Sequence, residues 1–166
     1  MQDLLPIALK LGALLKDRRE TIAIAESSSG GLISAALLAV PGASAYFLGG
    51  AIVYTRESRR TLLDIPDSAF AGIRGVTEPL AQVLARGTLK RFSTTWSLAE
   101  VGAAGPTGNR YGDPAGHSCI AIDGPVERAI TVETGGSDRV ANMRAFAAAA
   151  LELLSQSLAS LPAKHR

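Results

Sequence analysis

Along the chain, helical patterns alternate with short apolar runs that have the length of buried strands. Residues 3–17 carry apolar side chains at every third or fourth position and predict a helix, whereas residues 21–25 form a partly β-branched run that predicts a strand. By the same reasoning, further strands are predicted at 46–55, 96–101, 117–123 and 127–133. Further helices are predicted at 31–40, 56–63, 77–91 and from Asp138 onward, with a frayed basic tail at 162–166.

This order of elements predicts the fold class. Helices that alternate with buried strands, followed by a hairpin at 123–125 and a last helix, are typical of an α/β protein. We expect a three-layer α/β/α sandwich with a mixed, mostly buried sheet, formed by a single domain over residues 1–166. Ligands of such sheets bind where strands end, and both glycine-rich segments, 26–31 and 102–116, follow a predicted strand.

Composition and charge narrow the class of protein. Hydrophobic residues make up 47% of the chain, the formal net charge is +2, and basic residues form no run longer than two, so direct binding of nucleic acid is not expected. The uncharged residues 30–54 have the length of a membrane span, but Pro41 and Gly42 interrupt them, so a buried helix, a turn and a buried strand are predicted instead. The single cysteine, Cys119, is expected to be a packing residue, without a disulfide or a metal cluster. A cytoplasmic location without a secretory signal fits this composition.

The segment AESSSGG at residues 25–31 is the most informative part of the sequence. Three hydroxyl side chains follow a strand, and Gly30 and Gly31 then lead into a helix whose first amides attract negative charge. These amides could hold a phosphate, or they could form an oxyanion hole beside a nucleophile such as Ser27. A simpler interpretation is that the serines only cap the helix. The glycine spacing matches neither the dinucleotide-binding fingerprint nor the P-loop.

The second glycine-rich segment, residues 102–116, is too long for a simple connection, which favours a binding loop over a disordered one. Arg110 or Asp113 could contact a ligand there, or both could be solvated. An arginine cluster follows the strand predicted at 46–55. It either contacts a phosphate or carboxylate or belongs to a solvated helix start, and its members are Arg56, Arg59 and Arg60.

Several motifs in register resemble the CinA C-terminal domain, the competence/damage-inducible family. AESSSGG at 25–31 resembles the AESCTGG signature of that family, and PGASAYFLGG at 41–50 matches its PGSSAYFLGG segment nearly residue for residue. Tyr54 with Glu57 is similar to its YSNEAK stretch, and the GAVSE, GIAGP and PVGTV segments have counterparts at 72–78, 102–106 and 114–116. The order and spacing hold from about residue 3 to residue 158, which is nearly the whole chain.

The resemblance implies a nicotinamide-nucleotide amidohydrolase, which converts nicotinamide mononucleotide to nicotinate mononucleotide and ammonia without a metal or other cofactor. Carried over by position, Ser27 is the nucleophile and Tyr54 transfers or orients a proton. Arg59 stands where the family has the lysine that would activate the serine. The resemblance also implies contacts with the anionic nucleotide from Glu26, Ser28, Ser29, Gly30, Gly31, Ser44, Gly102, Gly105, Arg139 and Arg144.

Three departures from the family pattern bear on activity. Arginine at position 59 keeps its proton near neutral pH and cannot take the proton of the serine. Val101 replaces a hydroxyl residue, and His117 replaces a threonine, either as a substitute base or as a structural residue. Three interpretations therefore stay open: an amide hydrolase, a catalytically impaired homologue that binds a pyridine nucleotide, and a competence/DNA-damage accessory protein. The uncharged, glycine-bearing segment 42–54 further predicts a homodimer.

Overall fold

The computed structural model describes residues 1–162, so all but the first residue of the predicted tail at 162–166 lies outside the described residues. The described chain forms five α-helices and one five-stranded sheet. The strands are β1 Ile22–Glu26, β2 Phe47–Ile52, β3 Trp96–Ala103, β4 His117–Asp123 and β5 Arg128–Glu133. The helices are α1 Leu5–Arg18, α2 Leu32–Leu38, α3 Arg56–Leu63, α4 Glu78–Phe92 and α5 Arg139–Ala159, with 3₁₀ turns at Ala43–Ala45 and Asp67–Phe70.

The sheet is mixed and is covered by helices on both faces. Its strand order is β2-β1-β3-β4-β5, and β1 pairs in parallel with both β2 and β3, whereas β4 pairs antiparallel with β3 and β5. Helices α1, α2 and α5 pack against one face, and α3 and α4 pack against the other. This arrangement confirms the predicted α/β sandwich with a mixed sheet. The carboxyl ends of β1, β2 and β3 meet the start of β4 at one edge, which we call the ligand edge.

Two helices begin where local capping residues predict that they begin. The side-chain oxygen of Thr77 accepts a hydrogen bond from the amide of Leu80 at the start of α4. Asp138 accepts one from the amide of Ala141 at 2.9 Å, so α5 begins at Arg139 and places that side chain near the ligand edge. None of the helices within residues 1–162 is long and apolar enough to span a membrane.

Strand β2 differs from the prediction because it is shorter and lies at the rim of the sheet. It covers Phe47–Ile52 instead of 46–55 and, among the strands of residues 1–162, pairs with β1 alone, so alternate side chains face solvent. Leu48 and Ile52 are 49% and 50% exposed. Lack of charge wrongly predicted a fully buried strand, because a strand becomes an edge strand through partners that are distant in sequence. The exposed apolar rim agrees with the reasoning behind the homodimer, which stays a prediction.

Candidate functional site

Two buried glutamates lie side by side where β1 and β3 approach the ligand edge. Glu26 and Glu100 are partners in the parallel register of these strands, and both side chains are completely buried. A buried carboxylate is costly unless hydrogen-bond donors surround it. The serine–glycine turn at residues 27–31 and the start of α2 supply such donors to both groups.

Glu26 caps helix α2 from seven residues upstream. Its Oε2 accepts the amide of Ile33 at 3.1 Å, and its Oε1 accepts the amide of Ser34 at 3.0 Å and the hydroxyl of Ser34 at 2.7 Å. The serines therefore do not cap this helix, as the simpler interpretation of the sequence proposed. A carboxylate at the positive end of the helix thus already satisfies two of the amides that were predicted to attract a ligand anion.

Glu100 holds the turn itself. Its Oε2 accepts the amide of Ser27 at 3.0 Å, the amide of Ser29 at 2.9 Å and the hydroxyl of Ser29 at 2.9 Å. Its Oε1 accepts hydrogen bonds from the hydroxyls of Ser28 and Ser118. The Ser29 hydroxyl also lies 2.8 Å from Glu26 Oε2, so it bridges the two carboxylates. This network fixes the turn in one conformation.

The network leaves two kinds of group free within the turn. The amides of Ser28 and Gly31 donate to no residue in the described part of the chain. Ser27 Oγ also has no hydrogen-bond partner among residues 1–162, and it is not one of the polar atoms that are completely enclosed there. Gly30 and Gly31 have φ values of +67° and +99°, which explains the two glycines at the end of the turn.

Tyr54 and Arg139 meet at the same edge. Arg139 Nη2 lies 3.5 Å from the Tyr54 hydroxyl, and Arg139 Nη1 donates to the carbonyl oxygen of Gly105 at 2.6 Å. Buried Asn142 supports this contact, because its Nδ2 donates to the carbonyl oxygens of Ala104 and Gly136. The structure thus brings together Tyr54, Arg139 and the loop after β3, and leaves Tyr54 58% exposed to solvent.

Three residues that were predicted to contact the ligand lie elsewhere in the structure or have another role. Ser44 lies before β2, at the opposite end of that strand from Tyr54 and roughly 17 Å from the ligand edge by the length of the strand. Arg144 forms an exposed ion pair with Asp3. Gly102 belongs to β3 and not to the following loop, and a side chain there would meet the hydroxyl of Ser28. Its role is to make room for the turn.

The contacts and charge of Arg59 do not suit the role of a base. Its Nε donates to the carbonyl oxygen of Val53 at 3.4 Å, and its guanidinium lies 5.9 Å from the centre of the Phe70 ring. Burial lowers the pKa of Arg59, and the charge of Arg56 lowers it further, while Tyr111 counteracts the shift. An arginine remains charged near neutral pH despite such a lowering of its pKa.

His117 is engaged in structural contacts. Its Nδ1 faces Glu133 Oε1 and its Nε2 lies 3.1 Å from the carbonyl oxygen of Val76. Burial alone would lower the pKa of His117, but the bonds to Glu133 and Val76 outweigh it and raise the pKa. Both ring nitrogens thus face oxygen acceptors, which favours the structural interpretation over a substitute base. Cys119 is buried beside it, and burial raises the pKa of its thiol, as expected of a packing residue.

Sequence reasoning missed Glu100 and Tyr111. Glu100 has a detectable signal, because it is the one charged residue inside the strand predicted at 96–101. Its partnership with Glu26 depends on pairing across more than 70 residues and has no local signature. Tyr111 stands in the long loop with no pattern around it that marks a site. No group of three or more side chains suited to a metal ion occurs in the part of the chain that the structure describes.

The sequence is similar to that of known proteins. The family profile of the CinA C-terminal domain matches residues 5–158. A CinA-like protein of Synechococcus elongatus is 35% identical over 157 residues, which is 93% of this chain and 37% of that protein. One of Parasynechococcus marenigrum is 39% identical over 127 residues, 76% of this chain and 30% of that protein. The chain thus spans about a third of the length of these relatives.

Solved structures of the same superfamily share the fold. A CinA superfamily protein of Klebsiella pneumoniae 700603 has a TM-score of 0.88 at 24% identity, with 95% of this chain and 99% of that chain covered. The competence/damage-inducible protein CihA of Agrobacterium tumefaciens has a TM-score of 0.84 at 26% identity, with 95% and 96% covered.

Proposed function

The chain belongs to the CinA C-terminal domain family, and from this premise we propose that it hydrolyses the carboxamide of nicotinamide mononucleotide through Ser27. The observation that supports the proposal most strongly is the state of the three hydroxyls in the turn. Ser28 and Ser29 donate to carboxylates, whereas Ser27 Oγ has no partner among the described residues. A free hydroxyl on a rigid turn is the one available to attack a bound carbonyl carbon.

The proposed reaction has two steps. Ser27 Oγ attacks the carboxamide carbon, ammonia leaves, and an ester to the serine forms. Water then hydrolyses the ester, which releases the carboxylate of nicotinate mononucleotide and restores the hydroxyl. The free amides of Ser28 and Gly31 are the proposed donors to the oxygen that becomes negative, since the amide after a nucleophile commonly serves in an oxyanion hole. Tyr54, in contact with Arg139, is proposed to relay the serine proton to the leaving nitrogen.

We expect turnover to be slow. The position that carries the activating lysine in the family holds Arg59, which contacts Val53 and Phe70 and cannot accept a proton at neutral pH. General-base assistance typically contributes a factor of roughly 10² to 10⁴ in rate. The same observation supports the second candidate function, a homologue that binds a pyridine nucleotide without hydrolysing it efficiently.

Ammonia release from nicotinamide mononucleotide tests the proposal. We expect slow release by the wild type and none by Ser27→Ala. Ser44→Ala is the matched control, because that serine is exposed at the other end of β2 and should leave the rate unchanged. A measurable rate that Ser27→Ala does not alter would refute the serine mechanism. Binding of the nucleotide without any release of ammonia would favour the second candidate.

A further inference from the structure

A cavity of about 260 Å³ lies on the α3 and α4 side of the sheet and contains Arg59. Its wall combines residues of α3, the 3₁₀ turn Asp67–Phe70, the start of α4 and the loop after β3. The lining residues on which the inference depends are Arg56, Arg59, Asp67, Phe70, Leu80 and Tyr111.

Within residues 1–162, the guanidinium of Arg59 forms no ion pair, although Asp67 lines the same cavity. Its Nε donates to the carbonyl oxygen of Val53, but neither terminal nitrogen donates to a residue within 1–162. Burial lowers the pKa of Arg59, Tyr111 opposes this shift and Arg56 adds to it, as expected of a partly desolvated cation. A guanidinium of this kind has two free donors in a planar arrangement, which matches the geometry of a carboxylate.

The charge and the shape of the cavity point to one class of ligand. Two arginines, Arg56 and Arg59, and one acid, Asp67, line it, so the lining carries a single net positive charge. This balance suits a monoanion better than the doubly charged phosphate of a nucleotide. The walls contributed by Phe70 and Leu80 are apolar and suit a flat ring that carries the anionic group.

Tyr111 completes the cavity in a fixed position. Its hydroxyl accepts a hydrogen bond from Arg110 Nη2 at 3.0 Å, and the guanidinium groups of Arg110 and Arg74 lie 5.1 and 5.8 Å from its ring centre. Arg74 in turn forms an ion pair with Asp113. These contacts order the aromatic wall before a ligand arrives, which reduces the entropy that binding must overcome.

We propose that this cavity binds an aromatic carboxylate, with Arg59 paired to the carboxylate and the ring between Phe70 and Tyr111. The choice of a pyridine carboxylate as the natural ligand rests on the proposed function, whose product carries that group. The chain would then bind the acid form of a pyridine compound in preference to the amide. Arginine in place of lysine makes this preference possible, because it holds its charge and offers a two-pronged contact.

Isothermal titration of the Ser27→Ala protein tests the inference without interference from hydrolysis. Benzoate and benzamide test whether the cavity prefers a carboxylate, and nicotinate and nicotinamide test whether this preference holds for a pyridine ring. Ribose 5-phosphate tests whether a phosphate binds in place of the carboxylate. We expect each acid to bind at least tenfold more tightly than its amide. Adding Arg59→Met should abolish this difference, whereas Arg59→Lys should retain part of it. Arg60→Met is the control, because Arg60 is exposed on the same helix and pairs with Glu57.

The outcomes separate this inference from the proposed function. Equal binding of acid and amide, or an equal loss with Arg60→Met, would overturn the carboxylate site. Binding of ribose 5-phosphate that depends on Arg59, without a preference between acid and amide, would also overturn it. A preference for benzoate over benzamide that depends on Arg59 would support the cavity even if no ammonia is released from nicotinamide mononucleotide.

Discussion

Replacement of Glu100 by alanine should destabilise the protein through the turn that carries Ser27. The Ser27 amide would keep its second acceptor, the Glu100 carbonyl oxygen, and the Ser29 hydroxyl would keep Glu26. The amide of Ser29 and the hydroxyl of Ser28 would lose their acceptor while buried. A buried polar group that loses its hydrogen-bond partner costs about 1–3 kcal/mol. Because two such groups lose their acceptor, the free energy of unfolding should fall by about 4 kcal/mol.

Thermal unfolding measures this effect. A loss of about 4 kcal/mol corresponds to a fall in Tm of roughly 8–16 °C for a domain of this size. Glu100→Gln should lose less, about 1–2 kcal/mol, because the amide oxygen can still accept from the turn while its NH₂ group faces hydroxyls that can also accept. Glu57→Ala is the control, since Glu57 is an exposed acid whose replacement should leave Tm unchanged within error. A Glu100→Ala protein as stable as the control would refute the assignment of Glu100 as the acceptor that fixes the turn.

Three further predictions follow from single contacts. Because the pKa of His117 is raised, its stabilising contact with Glu133 should be complete below about pH 6.5 and be lost as pH rises through the folded pKa. Tm should therefore fall from pH 6 to pH 8.5 in the wild type and change less in His117→Gln; parallel curves would contradict this. Gly75→Ala should weaken benzoate binding with little change in Tm, because a Cβ there would displace the exposed ring of Tyr111; unchanged binding would contradict it. Arg59→Lys should raise the rate of ammonia release, and raise it more at higher pH, because burial at this position would favour neutral lysine; an equal or lower rate would count against a missing base.

Local patterns predicted those parts of the fold that depend on neighbouring residues. The caps at Thr77 and Asp138 were read correctly because a capping side chain binds amides two or three residues later. The mixed sheet was also predicted, since an alternation of helices and strands followed by a hairpin admits few other arrangements. Strand β2 was wrongly expected to be buried, because its place at the rim is decided by which strands pair with β1.

The candidate site also has features that local sequence predicts and features that depend on the folded chain. The turn around Ser27 was recognisable because its serines and glycines are consecutive, but the groups that satisfy it were not. Local sequence does not show whether a helix is capped by the nearest serine or by Glu26 seven residues upstream. The part played by Glu100 requires the register of β1 against β3. Residues that act across strands or from a long loop, such as Tyr111, emerge only once the chain is folded.

The alternation of side chains along β1 explains how the Glu26 carboxylate reaches the start of α2 and helps to hold the turn that follows. Successive side chains of a strand point to opposite faces, and Ala25 packs on the face covered by α3 and α4. Glu26 is therefore directed to the other face, where α2 and the network around Glu100 hold it. Ser27 follows β1 directly, and its amide still binds Glu100 across the strands, while its hydroxyl has no partner among residues 1–162. A shift of one residue in this register would direct the Glu26 carboxylate to the face covered by α3 and α4, away from the amides of α2 that satisfy it.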